Sequence, residues 1–158
     1  MKKEWVQSWM SSKVITITPD TTVPDAHKIM SKEEIRRLPV VNRNGRLVGI
    51  VTLGDVREAE PSQATSLNIW ELNYLLSNLN IKTIMSKNPI TVTPKATIGE
   101  VARTMLENRI SGLPVVDKNG DLVGIITESD IFSMIILNEW QEEEEDNIKS
   151  ATGAITSS

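Results

Sequence analysis

The sequence predicts a mixed α/β (α+β) protein made of two β-α-β-β-α repeats related by a pseudo-twofold axis. Three observations carry that expectation. Met10 to Val56 aligns with Met85 to Ile131 at a constant offset of 75, without a gap. Each copy sets two apolar runs around Asn-Gly, the strongest short-range hairpin signal. Each also places Thr-x-x-Asp or Thr-x-x-Glu, a capping-box pattern, ahead of a helical apolar period. Two copies, where a solenoid needs three or more, point to a pair of units sharing a core.

The identities are dense: Met10/Met85, Ile15/Ile90, Pro19/Pro94, Leu38 to Val41 with Leu113 to Val116, Asn44-Gly45/Asn119-Gly120, Leu47 to Ile50 with Leu122 to Ile125, Thr52/Thr127 and Asp55/Asp130. In order, Val14 to Thr18 and Ile90 to Thr93 are short β-branched runs ended by Pro19 and Pro94, and read as strands. Helices follow, opened by Thr22-x-x-Asp25 and Thr97-x-x-Glu100. Val23, Ala26 and Met30 share one face of the first; Ile98, Val101, Met105 and Ile110 share one of the second. The hairpins are Leu38 to Val41 with Leu47 to Thr52, and Leu113 to Val116 with Leu122 to Thr127. Final helices start near Asp55 and Asp130.

Between the copies, Pro61, Ser62 and Gln63 mark a turn, and Asn68 to Leu79 is too apolar for a free linker and reads as an inserted helix. Ile131 to Trp140 lengthens the last helix, and Glu142 to Asp146 continues it as a solvated acidic run. Ser150 to Ser158 is small and polar and is expected to be mobile. The expected divisions are a first repeat over 5–60, an inserted helix and linker over 61–80, a second repeat over 81–141 and a tail over 142–158.

Composition narrows the function. The 158 residues include no cysteine, which excludes disulfides, thiolate nucleophiles and cysteine-ligated metals, and a single histidine, His27. Seventeen basic against 21 acidic residues give a net charge of -4, no excess to attract nucleic acid or anionic lipid. No apolar run reaches signal-peptide or membrane-span length, so the expected location is cytoplasmic. His27 aligns with Ala102 and reads as a helix-surface residue. Trp9, Trp70 and Trp140 lie outside the repeated motifs and read as packing or interface anchors.

The motif with chemical potential is Gly49-Ile50-Val51-Thr52-Leu53-Gly54-Asp55, repeated as Gly124-Ile125-Ile126-Thr127-Glu128-Ser129-Asp130. Glycine inside a strand marks close approach by another backbone or a ligand. Thr-x-x-Asp at a strand-to-helix junction sets a hydroxyl and a carboxylate side by side. An ionised carboxylate accepts two hydrogen bonds and so suits the vicinal hydroxyls of a ribose, while the helix N-terminus favours a phosphate. Spacing alone does not separate this from a plain capping box.

Leu-Pro-Val-Val, then Asn-Gly, then Leu-Val-Gly-Ile-x-Thr-x-x-Asp, given twice, resembles a pair of CBS (cystathionine β-synthase) domains over roughly Trp5 to Trp140. The resemblance implies repeats packed by their sheets, with two clefts that bind adenosine nucleotides. It assigns the ribose to Asp55 and Asp130, with Thr52 and Thr127 nearby. It assigns the adenine to Ile15, Leu38, Pro39 and Val40, and to Ile90, Leu113, Pro114 and Val115. Phosphate falls to Arg36-Arg37 and to Ser111-Gly112, where the copies differ; surface ion pairing is the other reading of the two arginines. Which Asp shares a cleft with Arg36-Arg37 stays open at this level.

The resemblance thus implies a stand-alone regulatory sensor of AMP, ADP or ATP, with no catalytic residue and no metal needed for the fold. It is expected to form a homodimer, through family habit and the apolar last helix, and to signal to a separate protein, without nucleic acid or membrane. The alternatives are a dimerisation scaffold with empty clefts, a sensor of S-adenosylmethionine or NAD-type ligands, and a nucleotide hydrolase using Asp55 or Asp130. The last lacks a base, metal ligands and a Gly-rich phosphate loop.

Overall fold

Two hairpins set the architecture of the computed structural model, which describes residues 3–60 and 67–156. In the first copy β1 (Arg37–Val41) pairs antiparallel with β2 (Leu47–Thr52); in the second, β4 (Gly112–Val116) pairs with β5 (Leu122–Thr127). The registers are equivalent, Arg37 opposite Thr52 and Gly112 opposite Thr127, and each ladder shifts at the same valine pair, Val40/Val41 and Val115/Val116. The turns close on Gly45 (φ 76°) and Gly120 (φ 82°), a left-handed conformation that glycine adopts without steric cost. The side chains of Asn42 and Asp117 accept backbone N–H groups inside the turns. The tips meet across the pseudo-twofold, where Arg46 Nη1 donates to the Asn119 carbonyl at 3.0 Å.

The helices begin where the capping residues stand. α2 (Val23–Glu33) is capped by Thr22, α3 (Leu53–Ala59) by Thr52, and α5 (Ile98–Asn108) by Thr97. The inserted helix is α4 (Ile69–Asn78), with Asn68 and Glu71 forming a reciprocal capping box. The turn expected at Pro61 to Gln63 lies outside the described residues. The last helix, α6 (Glu128–Thr156), has 29 residues and so spans about 43 Å. It runs on through Ser150 to Thr156, into the small, polar stretch expected to be mobile. Among the described residues no helix is long and apolar enough to cross a membrane.

Val14 to Thr18 and Ile90 to Thr93 do not form full strands. Each contributes one parallel bridge, Ile17 to Val40 and Val92 to Val115. The reason is local: Val14 and Ile15 border a cavity, so the chain joins β1 only at Ile17.

The sequence repeat and the packed unit do not coincide. The short helix α1 (Val6–Trp9) sends Val6 into the core of the second copy, with Val101, Met105, Leu113, Val115 and Ile126. Its equivalent, Ile81 in a 3-10 turn (Ile81–Thr83), enters the core of the first, with Val23, Met30, Leu38, Val51 and Val56. Each copy therefore completes the other. Ser11 bridges Ile125 through two 2.9 Å backbone hydrogen bonds, and β3 (Ser86–Lys87) pairs with β2.

This exchange explains the strand glycines. A Cβ at Gly124 would lie 2.6 Å from Met10 Sδ and 3.0 Å from the Ser11 carbonyl oxygen. At Gly49 it would meet Met85 Sδ and the Ser86 carbonyl at the same distances. The close approach is therefore by the exchanged segment of the other copy, and the repeated Met10/Met85 and Gly49/Gly124 pairs are two halves of one contact.

Candidate functional site

A cavity of about 580 Å³ opens between the copies, within the range of small-molecule sites. From the first copy it takes Ser11, Lys13, Val14, Ile15, Glu34, Ile35, Arg36, Arg37 and Pro39. From the second it takes Ser111, Ile125, Thr127, Glu128, Ser129 and Asp130. Arg36 and Arg37 thus share a cavity with Asp130.

The polar floor is the β5–α6 junction. Thr127 N–H donates to Asp130 Oδ2 at 2.8 Å, and the Thr127 hydroxyl donates to the same oxygen at 3.2 Å. Asp130 Oδ1 accepts no hydrogen bond among the described residues. One oxygen holds the helix start, and the other keeps its acceptor capacity in a residue that lines the cavity. The Asp55 junction differs slightly: Thr52 N–H donates to Asp55 Oδ2 at 2.9 Å, and Asp55 N–H donates to Thr52 Oγ1 at 3.1 Å, a complete capping box. Both readings of Thr-x-x-Asp are therefore compatible, since the cap uses one carboxylate oxygen.

Three cations line the same cavity. Lys13 and Arg36 are exposed and pair with no carboxylate among the described residues. Arg37 is half-buried: its side chain lies across Gly112 and Nη2 donates to Ser111 Oγ. A Cβ at Gly112 would stand 2.6 Å from Arg37 Nε, so this contact needs glycine there. Burial lowers the Arg37 pKa from its ordinary value; Glu128 opposes that shift and Arg36 adds to it. A guanidinium still stays charged near neutrality, so an anion drawn to Arg37 would offset part of its desolvation.

Four expected contacts are corrected. Leu38 and Val40 are wholly buried in the first core, and Leu113 and Val115 in the second. Strand alternation turns their neighbours the other way, and Pro39 borders the cavity. In the sequence repeat Pro114, Thr52, Asp55, Ile90 and Gly112 are the counterparts of Pro39, Thr127, Asp130, Ile15 and Arg37, and none of these five borders the Asp130 cavity. Sequence reasoning passed over Lys13, Glu34, Glu128 and Ser129. Of these, Glu128 and Ser129 are the variable positions within Thr-x-x-Asp, where a motif gives no signal.

The cavity lining holds no histidine. His27 instead bonds Glu60 through Nδ1 at 2.6 Å, tying α2 to the end of α3. Among the described residues no group of three or more His, Cys, Asp or Glu could hold a metal. What the arrangement offers is recognition: a free carboxylate oxygen for neighbouring hydroxyls, apolar Ile15 and Pro39 for a flat ring, and cations for phosphate.

Comparison with known proteins shows the family. The family model described as CBS domain matches residues 6–62 and 81–137. A CBS domain-containing protein of Dictyostelium discoideum is 37% identical over 134 residues, 85% of this chain and 92% of that protein. Some longer curated relatives are enzymes of whose length the chain spans 23%. Among solved structures, the CBS domain pair of protein MJ0100 in complex with 5′-methylthioadenosine and S-adenosyl-L-methionine superposes with a TM-score of 0.71 at 31% identity, covering 85% of this chain and 97% of that one. CBSX2 of Arabidopsis thaliana in complex with AMP gives 0.70 at 27% identity, covering 85% and 98%.

Proposed function

Because this chain belongs to the CBS domain family, with two such domains, we propose that it is a regulatory module binding a phosphorylated adenosine nucleotide in the Asp130 cavity. One observation carries the reading. Lys13, Arg36 and Arg37 share a single cavity with the free oxygen of Asp130. In this reading the ribose hydroxyls donate to Asp130 Oδ1, the adenine lies against Ile15 and Pro39, and the phosphate meets Arg36, Arg37 and Lys13. Arginine forks match phosphate oxygens bidentately, which favours AMP, ADP or ATP over S-adenosylmethionine with its sulfonium charge.

Sequence differences between the copies make the two clefts unequal. The positions of Lys13, Arg36 and Arg37 are taken by Asn88, Ser111 and Gly112 in the second copy. One strong site and one weak or empty one follow. The module has no catalytic role of its own and works in the cytoplasm as a homodimer, passing its signal to a separate protein. A ligand can do that only by binding two conformations differently.

The test is a thermal-shift panel of AMP, ADP, ATP, NAD and S-adenosylmethionine, followed by calorimetry. At a hundred times Kd a ligand adds about 2.7 kcal/mol, a rise of several degrees for a chain this size. AMP, ADP or ATP should give the largest shift and one strong site per chain. A larger response to S-adenosylmethionine would replace the nucleotide reading. No response to any ligand would favour a scaffold, and turnover of ATP or AMP would favour an enzyme.

A further inference from the structure

Two apolar helix faces of this chain have no partner among the described residues. On α6, Phe132, Ile135, Ile136, Leu137 and Trp140 are all about half exposed or more, while Ile131 and Met134 alone reach the core from that helix. On α4, Trp70 and Tyr74 are 81% and 71% exposed, and with Leu67, Glu71 and Leu75 they border a shallow hollow of about 440 Å³. We propose that, in a homodimer, the exposed stripe of α6 from one copy seats in the α4 hollow of the second copy, and reciprocally.

Area supports a second copy as the occupant. A fully exposed aromatic side chain offers roughly 150–250 Å², so each face presents on the order of 600 Å². Single apolar patches beyond a few hundred Å² mark association sites. The two together exceed the roughly 800 Å² per partner of a standard interface. One twofold operation covers both faces on both copies, which closes the assembly.

Charge decides between this pairing and α6 against α6. Past the stripe, Glu142 to Asp146 are all exposed. Two parallel α6 helices would set those runs side by side. Two antiparallel ones centred on Ile136 would set Glu142 and Glu144 opposite Asp130 and Glu128, again acid on acid. Helix α4 carries one charge, Glu71, and packs on α2, whose exposed Lys28 and Lys32 pair with no carboxylate among the described residues. They are one helical turn apart. The proposed dimer pairs the acidic run of a docked α6 with those lysines.

The inference rests on the homodimer reading above, and the experiment separates their failures. Light scattering on the intact chain first measures the mass; a monomer at micromolar concentration overturns both. The chain lacks cysteine, so Tyr74→Cys and Ile136→Cys can be introduced singly and together. Under mild oxidation the double variant should link into dimers on a non-reducing gel, while neither single variant does. Linking by Ile136→Cys alone, or no linking by a double variant that is dimeric in solution, overturns the α4–α6 contact and leaves the dimer standing. Lys28→Glu with Lys32→Glu should weaken the dimer about tenfold, and adding Glu142→Lys with Glu143→Lys should restore it. Failure of that restoration also overturns the contact.

Discussion

The proposed function gives Asp130 two tasks, one for each oxygen, and Asp130→Asn separates them. The asparagine keeps a carbonyl oxygen for the Thr127 N–H, so the start of α6 survives. It loses a negative charge in the first helical turn, worth about 0.3–1 kcal/mol, or a few degrees at most. The side that faces the ligand changes from a carboxylate oxygen to an amide NH2, a donor. Hydrogen bonds to charged groups contribute about 1.5–3 kcal/mol and neutral ones about 0.5–1.5. Two ribose hydroxyls therefore lose about 2–3 kcal/mol between them, roughly 30- to 150-fold in Kd. Calorimetry with AMP measures the affinity, and thermal unfolding without ligand measures the cap. Asp55→Asn is the control. It should lower stability by a similar amount, because Asp55 caps α3 in the same way, yet change the strong AMP site less than threefold. Equal losses of AMP affinity in the two variants, or none in Asp130→Asn, would refute the assignment of ribose to the Asp130 cavity.

Removing Arg36 or Lys13 by alanine substitution should weaken AMP about tenfold each, since each loses one partly exposed charged contact, and should leave adenosine nearly unaffected; calorimetry on both ligands checks this. Gly124→Ala and Gly49→Ala should each cost about 1–3 kcal/mol, as overpacked core positions do, because the new methyl meets a sulfur at 2.6 Å and a carbonyl at 3.0 Å; urea denaturation measures it. Gly54→Ala is the contrast, with its nearest contact an ordinary 3.7 Å from Thr52 Oγ1. It should be neutral or stabilise by up to about 1 kcal/mol, from reduced freedom of the unfolded chain. His27→Ala should cost no more than about 1 kcal/mol, the range for solvent-accessible ion pairs, and leave AMP binding unchanged, since His27 does not line the cavity.

The features legible in the sequence are those written in local chemistry. Asn-Gly gave the hairpins and Thr-x-x-Glu gave the start of α5, because each motif satisfies backbone groups within a few residues, while the apolar run from Asn68 to Leu79 marked the inserted helix. Features that need a distant partner were not legible. Nothing near Val6 says that it completes the core of the second copy, nor that Ile81 completes the first. The strand glycines announced a close approach but not the methionine that makes it. Leu38 and Val40 belong to a motif whose odd and even positions face opposite ways. Only Pro39 reaches the cavity, and the motif as a string does not show which parity faces it. Likewise Arg36-Arg37 could have served either junction until the cavity lining set them beside Asp130.

The repeated and the unrepeated positions divide the work of this molecule. Met10/Met85, Gly49/Gly124 and Asp55/Asp130 hold the two copies together and start their last helices, and they recur because the pseudo-twofold needs each contact twice. The positions that differ gather at the cavity: Lys13 against Asn88, Glu34 against Arg109, Arg36 against Ser111, Arg37 against Gly112, Glu128 against Leu53. Symmetry alone would give two equal clefts, so any difference between them lies in these departures from it. The Arg37–Ser111–Gly112 contact shows why the departures come as a set. A second arginine at 112 would place two guanidinium groups where one already needs a bare backbone to pass, and Ser111 could no longer receive it. The same cavity borders the first turn of α6 and the segment following α1, and Glu4 near that segment accepts from Asn138 of α6 at 3.2 Å. A ligand held between the copies would thus touch the first turn of α6 and the segment following α1.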